Sequence, residues 1–350
     1  MLALIRPAQL REGPCLVADF PELGRPCFFR DPQRQWIAWQ PRELPEVLAA
    51  AERAARAGAW VGGFLTYEAA AAFDLPAVAG GQGLPLAWFA AFGAPRELLW
   101  PADSPPLTGA PLPEIDPHRY RADLERIRAW IGAGDTYQVN YTLDARLPDA
   151  IDPAALFLHL QPRHRHPYGA WIHCRPGPAG PPLDIASFSP ELFLARRQGC
   201  LISAPIKGTR PRGCTVEQDA ALGRELLASA KDRAEHVMIV DMVRNDLGRV
   251  CRTGSIRVPH LMELRSFPTV HHLETRVRGA VAPGMSLEEI LGALFPAASI
   301  TGAPKHRTMA IIRTLEQRPR GLYTGSIGII RPGGDCIFNV AIRTVVRVGQ

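Results

Sequence analysis

Strand-type and helix-type segments follow one another irregularly along this chain, and this irregularity restricts the fold more than any other feature of the sequence. Residues 185–196 and 200–206 are apolar and are predicted to form the two strands of one hairpin. Residues 219–245 contain few helix-breaking residues and are predicted to form one long helix. A regular β-α-β succession would indicate a parallel sheet, and no such succession is present. We therefore expect an α+β fold.

Local periodicity and breaking residues indicate the other elements. Residues 101–113 contain five prolines and residues 174–182 are rich in proline and glycine, so both are predicted to be connections. Further helices are predicted at 44–58, 118–131, 156–160, 286–294 and 305–315. Further strands are predicted at 60–67, 137–143, 325–330 and 336–348. With 350 residues and 47% hydrophobic content, the chain can bury a large core.

The composition argues against several classes of protein. The net charge is +6, but the arginines are scattered among acidic residues without long runs of like charge, so we expect no nucleic-acid partner. The seven cysteines form no Cys-x-x-Cys pair, which argues against a disulfide framework or a structural zinc site and favours a reduced, cytoplasmic location. The apolar stretches are too short for a membrane span, and the N-terminus lacks the pattern of a signal peptide.

A carboxyl group and an amine lie in two neighbouring apolar segments, Ser187-Phe-Ser-Pro-Glu191 and Ala204-Pro-Ile-Lys-Gly-Thr-Arg210. If Glu191 and Lys207 share a cleft, partial burial raises the pKa of the carboxyl group and lowers the pKa of the amine. The two groups would then supply an acid that protonates a leaving hydroxyl and an amine that attacks as a nucleophile. The alternative is a hairpin with a structural salt bridge, which these two residues alone do not exclude.

Acidic side chains recur at helical spacing in the segment that begins at Lys231. Asp232, Glu235 and His236 would lie on one face of a helix. Such a carboxylate could hold a divalent cation, with waters and substrate oxygens as the other ligands. The alternative is a charged face of the helix that meets solvent and carries i,i+4 ion pairs.

Two adjacent histidines occur in Phe267-Pro-Thr-Val-His-His-Leu273. Neighbouring residues point in different directions on a strand or a helix, so at most one of them can face a given site. A histidine of this kind could take part in chemistry near neutral pH, or it could be structural.

The segment Phe295-Pro-Ala-Ala-Ser-Ile-Thr-Gly-Ala-Pro-Lys305 leads into a predicted helix. Ser299, Thr301 and Gly302 precede Pro304, which is typical of the first helical turn. Free backbone N–H groups and hydroxyls at a helix start can bind a carboxylate. An ordinary capped helix is the alternative.

The last motif is Arg320-Gly-Leu-Tyr-Thr-Gly-Ser-Ile-Gly328, followed by Phe338-Asn-Val-Ala-Ile-Arg343. Arg343 is predicted to lie within an apolar strand, where a guanidinium needs an anionic partner such as a carboxylate. Tyr323 could donate to the same anion. An ordinary ion pair of the arginine is the alternative.

Taken together, these motifs and Tyr137-Gln-Val-Asn140 resemble the chorismate-utilising enzymes, a family that includes anthranilate, aminodeoxychorismate, isochorismate and salicylate synthases. The resemblance extends over residues 116–348, and Gly62-Gly-Phe-Leu-Thr-Tyr-Glu68 resembles an N-terminal segment of the aminodeoxychorismate group. It implies one α+β unit of two intertwined, mainly antiparallel sheets flanked by helices. Residues 1–113 would form an N-terminal segment of that unit, and residues 114–350 the chorismate-binding catalytic region.

Two positions separate the groups of this family. Lys207 matches the lysine of the aminodeoxychorismate enzymes, where the anthranilate and isochorismate enzymes usually carry alanine. Gln138 stands where isochorismate-forming members carry a lysine that activates water. The resemblance therefore implies amination of chorismate at ring carbon 4, on the route to para-aminobenzoate and folate.

The resemblance also implies roles for individual residues. Lys207 would attack ring carbon 2, Glu191 would protonate the hydroxyl that leaves carbon 4, and His272 would act near the ring carboxylate. Glu235 would be one of two ligands of a bound Mg²⁺. Substrate-binding groups are implied at Gln138, Ser299, Thr301, Gly302, Tyr323, Gly325 and Arg343. Ammonia would come from a separate glutamine amidotransferase subunit. It would add at carbon 4 as Lys207 departs.

In the family, the Ile-Arg-Thr strand is followed by a Gly-x-Gly-Ile turn and by a helix with the second Mg²⁺ ligand. The sequence ends at Gln350, before both. We therefore expect a chain that lacks part of its C-terminal region, binds Mg²⁺ weakly and is poorly active. Two other functions stay open: anthranilate synthase, which Lys207 disfavours, and a non-catalytic subunit that binds the amidotransferase.

Overall fold

Two large β-sheets form the centre of the computed structural model, which describes residues 2–4, 6–81, 83–101, 109–177 and 180–349. Within these residues the strands are β1 Leu2–Leu4, β2 Cys15–Asp19, β3 Cys27–Arg30, β4 Arg34–Ala38, β5 Trp60–Leu65, β6 Ala87–Phe92, β7 Arg96–Leu99, β8 Leu112–Pro113, β9 Gln138–Val139, β10 Ala145–Arg146, β11 Tyr168–Cys174, β12 Leu183–Ser189, β13 Leu192–Arg197, β14 Cys200–Ala204, β15 Ile206–Pro211, β16 Glu263–Ser266, β17 Val270–Glu274, β18 Val277–Ala280, β19 Gly302–Ala303, β20 Ser326–Ile330, β21 Cys336–Asn339 and β22 Thr344–Val348. The α-helices are α1 Leu44–Arg56, α2 Pro117–Gly132, α3 Pro153–His164, α4 Val216–Ala228, α5 Ala230–Gly248, α6 Leu287–Leu294 and α7 Lys305–Glu316.

Both large sheets combine strands from distant parts of the chain. The seven-stranded sheet has the order β1-β7-β3-β2-β11-β12-β22, and the eight-stranded sheet has the order β18-β14-β13-β21-β20-β5-β6-β4. Among the described pairs of these two sheets, only β1 and β7 run parallel. Helices and mainly antiparallel strands therefore coexist in one molecule, and the predicted α+β class is confirmed.

Apolar side chains fill the space between the two sheets. Leu16 and Ile172 of the seven-stranded sheet and Phe64, Trp88 and Ile329 of the eight-stranded sheet are buried in one cluster. Full burial of one such side chain stabilises the fold by about 1.5–3 kcal/mol. The facing surfaces of the sheets are therefore held together over a broad area.

Helices cover the outer faces of both sheets. On the seven-stranded sheet, Phe157 of α3 packs against Trp171 of β11. On the eight-stranded sheet, α1, α5 and α6 contribute Leu48, Ile239 and Leu291 to a second buried cluster. An inner strand that is covered on both faces is buried along its whole length, as in β6, where all six residues are buried. The edge strand β4, in contrast, begins with two exposed residues. In the described part of the chain, no helix combines the length and the apolar character that crossing a lipid bilayer requires.

Two predicted elements prove to be divided. The predicted strand 185–196 is β12 followed by β13, which belong to different sheets, and the hairpin consists of β13 and β14 alone. The predicted helix 219–245 is α4 followed by α5. Ser229 lies between them and caps α5, because its hydroxyl accepts a hydrogen bond from the Asp232 N–H (3.3 Å).

Two predicted strands are also shorter than expected. Residues 137–143 contain only the two-residue strand β9, and residues 336–348 contain β21 and β22 with a break between them. The remaining predicted helices correspond to α1, α2, α3, α6 and α7, and the predicted strands 60–67 and 325–330 correspond to β5 and β20. Of the two predicted connections, residues 102–108 and 178–179 lie outside the described residues.

Candidate active site

The chain passes from one large sheet to the other at two neighbouring points. One crossing leads from β12 to β13 through Pro190, which has no N–H to continue the ladder of β12. The other leads from β21 to β22. The two crossings are hydrogen-bonded to each other, because the Val340 N–H donates to the Glu191 carbonyl (3.1 Å) and the Phe188 N–H donates to the Arg343 carbonyl (3.0 Å). The backbone segments that carry Glu191 and Arg343 are thereby joined where the two sheets meet.

Arg343 does not lie within a strand, contrary to the prediction. It immediately precedes β22 and has a φ of 51°. This left-handed conformation is uncommon for a residue other than glycine and is concentrated at functional sites. Hydrophobic periodicity does not detect a single left-handed residue in front of a strand, which is why it gave the wrong element.

Glu191 is a buried carboxyl group at the first crossing. Its side chain is 4% exposed, and its Oε1 accepts a hydrogen bond from the Ser299 hydroxyl (2.5 Å). Burial raises the pKa of Glu191 to about 7, although the Ser299 hydroxyl and the nearby Lys207 charge act in the opposite direction. A carboxyl group with this pKa holds its proton for part of the time near neutral pH, as a general acid must.

Lys207 reaches the same serine from another sheet. It lies on β15, which pairs with β17 in a three-stranded sheet. Its Nζ donates a hydrogen bond to the Ser299 carbonyl oxygen (2.9 Å). Burial lowers the pKa of Lys207, against the opposing influence of Glu191 and Glu235. Glu191 and Lys207, the two groups predicted from sequence, therefore meet at Ser299. Among the described residues, the two side chains form no direct ion pair within 4.0 Å.

A buried lysine holds the loop that carries Ser299. Lys305 Nζ donates to the Leu294 carbonyl (2.7 Å) and to Asp246 Oδ2 of α5 (2.7 Å). Leu294 ends α6 and Lys305 begins α7, so this one ammonium group fastens both ends of the loop 295–304 to each other and to α5. The position of Ser299 therefore depends on Lys305.

Thr301 and Gly302 serve the backbone of this loop. The Thr301 hydroxyl donates to the Ala297 carbonyl (3.2 Å), so it does not offer the free donor that was predicted for a carboxylate-binding turn. Gly302 pairs with Val139, and a Cβ at this position would lie 2.0 Å from the Gln138 carbonyl oxygen. Glycine is required here because it lets β19 approach β9. No side chain caps α7, so the alternative of an ordinary capped helix is wrong. Substrate binding by this turn stays a prediction.

Gln138 is held by this short pairing of β9 with β19, opposite Ala303. Its Oε1 is buried and has no hydrogen-bond partner within the described part of the chain. A buried polar atom without a partner is costly, so an atom of this kind is a candidate for contact with a ligand or a bound water. This observation fits the predicted role of Gln138 in binding substrate.

His272 and His271 lie next to each other on β17 and face different surroundings, as expected. His272 Nδ1 lies 3.1 Å from the Gly208 carbonyl oxygen, which can only accept, so Nδ1 carries the proton. His272 Nε2 then accepts a hydrogen bond from Arg343 Nη2 (3.1 Å). Burial, with the Arg343 charge, lowers the pKa of His272, in agreement with a neutral ring. His271 instead contacts Asp219 (2.9 Å) and Ser266 (2.8 Å).

Arg343 has no carboxylate within ion-pair distance among the described residues, and its side-chain hydrogen bond goes to His272. Burial without an anionic partner lowers the pKa of this guanidinium. The alternative of an ordinary ion pair is therefore wrong for Arg343. Arg343 is an exposed residue, and a guanidinium without a carboxylate partner favours an anionic ligand, which would supply the missing negative charge.

Tyr323 and Gly325 lie in a segment that is hydrogen-bonded to Ala341, two residues before Arg343: the Thr324 N–H donates to the Ala341 carbonyl (2.8 Å), and the Ala341 N–H donates to the Gly325 carbonyl (2.9 Å). Their roles in binding substrate stay predictions. The charged groups that act on the Tyr323 hydroxyl belong to Arg320, Glu316 and Arg318, and burial raises its pKa. Gly325 is a packing position, since a Cβ there would lie 2.1 Å from the Leu65 carbonyl oxygen. The described contacts therefore join Tyr323 to a neighbouring charged cluster and give Gly325 a role in the backbone.

The centre of that cluster is Arg320, which the sequence interpretation left without a role. Its guanidinium binds both oxygens of Glu316 (2.9 and 2.7 Å) and the carbonyl oxygens of Ile300 (3.0 Å) and Asn140 (2.7 Å). Glu68 accepts the Arg320 backbone N–H (2.6 Å). Arg320 thus ties together three motifs that were noted separately. Nothing in the sequence alone shows that Arg320 meets Glu316 and the carbonyl groups of two other motifs.

Glu235, the predicted metal ligand, lies on α5, close enough to Lys207 of β15 for its charge to act on this lysine. Its side chain is 36% exposed, and its ion pair with Lys231 is long (4.0 Å). Asp232 binds Arg210 (3.2 Å) and His236 binds Thr275 (2.6 Å), so these two are engaged elsewhere. No three His, Cys, Asp or Glu side chains in the described ranges gather as a metal site. Glu235 fits Mg²⁺ chemically, but these ranges supply only one candidate ligand.

Comparison with known proteins assigns a family to the chain that carries this acid, this amine and this arginine without an anionic partner. Residues 100–350 match the family described as chorismate binding enzyme. The chain belongs to this family. The resemblance noted in the motifs is thereby confirmed.

Three curated relatives show which members of the family are similar. The chain is 43% identical to an aminodeoxychorismate synthase of Streptomyces pristinaespiralis over 72% of this chain and 36% of that protein. It is 42% identical to aminodeoxychorismate synthase component 1 of Bacillus subtilis over 65% of this chain and 47% of that protein. It is also 40% identical to an anthranilate synthase component 1 of Haloarcula marismortui, over 65% and 45%. The matched region thus spans between about a third and a half of each relative.

A solved structure supports the fold. Anthranilate synthase component I of Streptococcus pneumoniae superposes with a TM-score of 0.75 and 23% sequence identity, over 96% of this chain and 84% of that chain. At this level of identity the likeness shows the shared fold, with its two large sheets, and does not distinguish the reactions of the family.

Proposed function

We propose that this chain is the chorismate-aminating component of an aminodeoxychorismate synthase, which replaces the hydroxyl at ring carbon 4 of chorismate with an amino group. The observation that carries the proposal is that Lys207 and Glu191 both contact Ser299, with an amine of lowered pKa and a carboxyl of raised pKa. The product would serve para-aminobenzoate and folate synthesis.

Burial of both groups favours the neutral pair over the ion pair. Transfer of two charges from water into a buried site is costly, and the direct attraction offsets this cost only when the geometry is very good. Here Lys207 Nζ donates to the Ser299 carbonyl oxygen rather than directly to Glu191. Burial therefore shifts Lys207 towards the neutral amine, and Glu191, with a pKa of about 7, holds its proton for part of the time near neutral pH. A neutral amine and a protonated carboxyl are the forms that the reaction requires.

In the proposed reaction, the lone pair of Lys207 Nζ forms a bond to ring carbon 2. The double bonds shift and the bond from carbon 4 to its hydroxyl breaks, while Glu191 transfers its proton to the departing oxygen and water is released. Ammonia then adds at carbon 4 and Lys207 leaves carbon 2 with its electron pair returned to nitrogen. The excess proton of the added ammonia returns to Glu191, so the site regains its starting state.

The carboxylates of chorismate need a cationic site, and Arg343 with neutral His272 supplies it. Arg343 can donate to a carboxylate while His272 Nε2 accepts from the same guanidinium and holds its orientation. Mg²⁺ belongs to the proposal as the cofactor that Glu235 would hold together with substrate oxygens and water, where it would neutralise carboxylate charge.

Ammonia would be supplied by a glutamine amidotransferase partner. Support for a partner comes from the relatives named component 1, a name that implies a second component in those proteins. The partner therefore belongs to the same proposal as the reaction itself.

The proposal is tested with Lys207→Ala. The purified chain is incubated with chorismate, ammonium ion and Mg²⁺, and 4-amino-4-deoxychorismate is separated by chromatography. We expect the unsubstituted chain to form this product at a low but measurable rate and Lys207→Ala to lose it by at least about 100-fold, because the nucleophile is removed. Lys231→Ala, which removes an exposed lysine of α5, is the matched control and should keep the activity. Unchanged amination by Lys207→Ala would remove this lysine from the mechanism.

Anthranilate synthase is the second candidate, favoured by the 40% identity to the Haloarcula marismortui enzyme. Lys207 argues against it, because ammonia must add at carbon 2 in that reaction and the lysine would occupy this carbon. The product decides, since anthranilate is fluorescent and forms without a separate lyase. Anthranilate as the main product of the unsubstituted chain would select this candidate.

A further inference from the structure

A second histidine lies beside Arg343. The ring of His166 packs edge-on against Phe188, with 5.8 Å between ring centroids and 64° between ring planes. Phe188 in turn donates its N–H to the Arg343 carbonyl at the crossing between the sheets. The guanidinium of Arg343 is close enough for its charge to act on His166. The charge of Arg343 therefore acts on two imidazoles: His272, to which the guanidinium donates a hydrogen bond, and His166.

Hydrogen bonds to its carbonyl oxygen fix the backbone at His166. Gln161, which is fully buried, donates through its Nε2 to the His166 carbonyl oxygen (2.7 Å) and to Asp19 (2.8 Å). The Gly169 N–H donates to the same carbonyl (3.2 Å). The short connection between α3 and β11 is thus held at His166, so the ring of this half-buried residue has a defined place beside the crossing.

The ring of His166 keeps a donor available. Its described ring contacts are the packing against Phe188 and a stack on His164, and no described residue hydrogen-bonds to either ring nitrogen. Burial, with the charges of Arg343 and His164, lowers the pKa of His166 to about 4. The ring is therefore neutral at pH 7 and carries one N–H beside a guanidinium that lacks an anionic partner.

We infer that His166 donates a hydrogen bond to the substrate carboxylate that binds at Arg343, so that this carboxylate is held by Arg343 and His166 while His272 orients the guanidinium. The inference rests on the proposed function, because it assigns a further binding residue for chorismate. A neutral donor adds a directed hydrogen bond without adding positive charge, so it discriminates by geometry rather than by attraction alone.

The experiment is a calorimetric titration of the full chain with chorismate in the presence of Mg²⁺. His166→Phe keeps an aromatic ring against Phe188 and removes the donor, and His166→Gln keeps a side-chain N–H donor. His164→Ala removes the stacked neighbour and is the matched control. Thermal melting of each variant shows that its fold is intact.

We expect His166→Phe to raise the Kd for chorismate about ten-fold, which corresponds to the loss of one hydrogen bond to a charged group. His166→Gln should recover most of the affinity, and His164→Ala should change it by less than about two-fold. If the unsubstituted chain binds chorismate and His166→Phe binds it equally well, the role of His166 is refuted while the proposed function stands. Absence of chorismate binding by the unsubstituted chain refutes both.

Discussion

Ser299 makes the protonation states of two groups depend on one residue. Its hydroxyl donates to Glu191 and its carbonyl oxygen accepts from Lys207, so a proton shift at one group changes the field at the other. Titrations of two such groups are coupled, and apparent pKa values belong to the pair. The acid and the amine are thereby set for one reaction step rather than for independent roles.

Glu191→Gln is predicted to lower amination by about 100-fold or more, because the general acid is lost. The same variant is predicted to be more stable than the unsubstituted chain at pH 8 and equally stable at pH 5. Folding raises the pKa of Glu191 to about 7, so the protonated form is favoured in the folded state. The stability from this preference is present at low pH and is lost as the pH rises through about 7.

Thermal melting at pH 5 and pH 8 measures this difference. Glu97→Gln, at a carboxyl that is 30% exposed and lies in an ion pair with Arg25, is the control and should lack the pH-dependent gain. An equal difference in melting temperature at both pH values for Glu191→Gln would contradict the raised pKa.

Single residues were predicted from sequence where their chemistry is unusual for their context. A glutamate and a lysine within apolar segments of the sequence need a reason, and this signal led to Glu191 and Lys207. Tyr323 and Arg320 show why the rest was not predictable. Their partners come from segments distant along the chain, and no local pattern states which arginine meets which carboxylate.

At the scale of elements, the loop 295–304 is held by a buried ion pair. The side chains of Lys305 and Asp246 are each 13% exposed and lie 2.7 Å apart. Removing one partner of such a pair leaves an unpaired buried charge, whereas removing both does not.

Lys305→Met is therefore predicted to cost about 3–5 kcal/mol of unfolding free energy. The double variant Lys305→Met with Asp246→Leu is predicted to be more stable than Lys305→Met alone. Urea unfolding followed by fluorescence measures both values. Simple additivity of the two single changes would contradict a pairwise clamp.

The ends of helices and strands were predicted correctly where a recognised local signal, such as a glycine or a proline, marks them. The helices α1, α2, α6 and α7 follow their predicted ranges closely. Ser229 was overlooked, although a serine three residues before an acidic residue is a typical helix start. Pro190 was also overlooked as the end of a strand. Hydrophobic periodicity shows that a segment is buried, but it does not show to which sheet the segment belongs.

For the whole molecule, the two sheets make the N-terminal region indispensable to the fold. β2 and β3 pair within the seven-stranded sheet, and β5 pairs with β20 in the eight-stranded sheet. We predict that residues 109–350 expressed alone do not fold. The fragment lacks β2, β5 and β6, and their loss would leave apolar surface and the edges of the neighbouring strands exposed. Far-UV circular dichroism and solubility of this fragment measure the outcome. A soluble fragment with native-like strand content would show two independent units.

The resemblance implied the overall architecture, and the structural likeness to a solved member confirms the fold. The division of the chain into an N-terminal segment and a catalytic region stays a prediction. Pairing between β5 and β20 joins residues that are far apart in sequence, and such pairing has no signature in composition or periodicity. Only the match of ordered motifs to a known family carried information at this distance.

The two crossings also determine how mutations far from the reacting groups should act. If one sheet slid over the other, the hydrogen bond between the Val340 N–H and the Glu191 carbonyl, which joins the two crossings, would have to break. The position of Glu191 therefore depends on how the two sheets are aligned. A smaller side chain at Phe64 or Trp88 would displace Glu191 and lower activity before the protein unfolds.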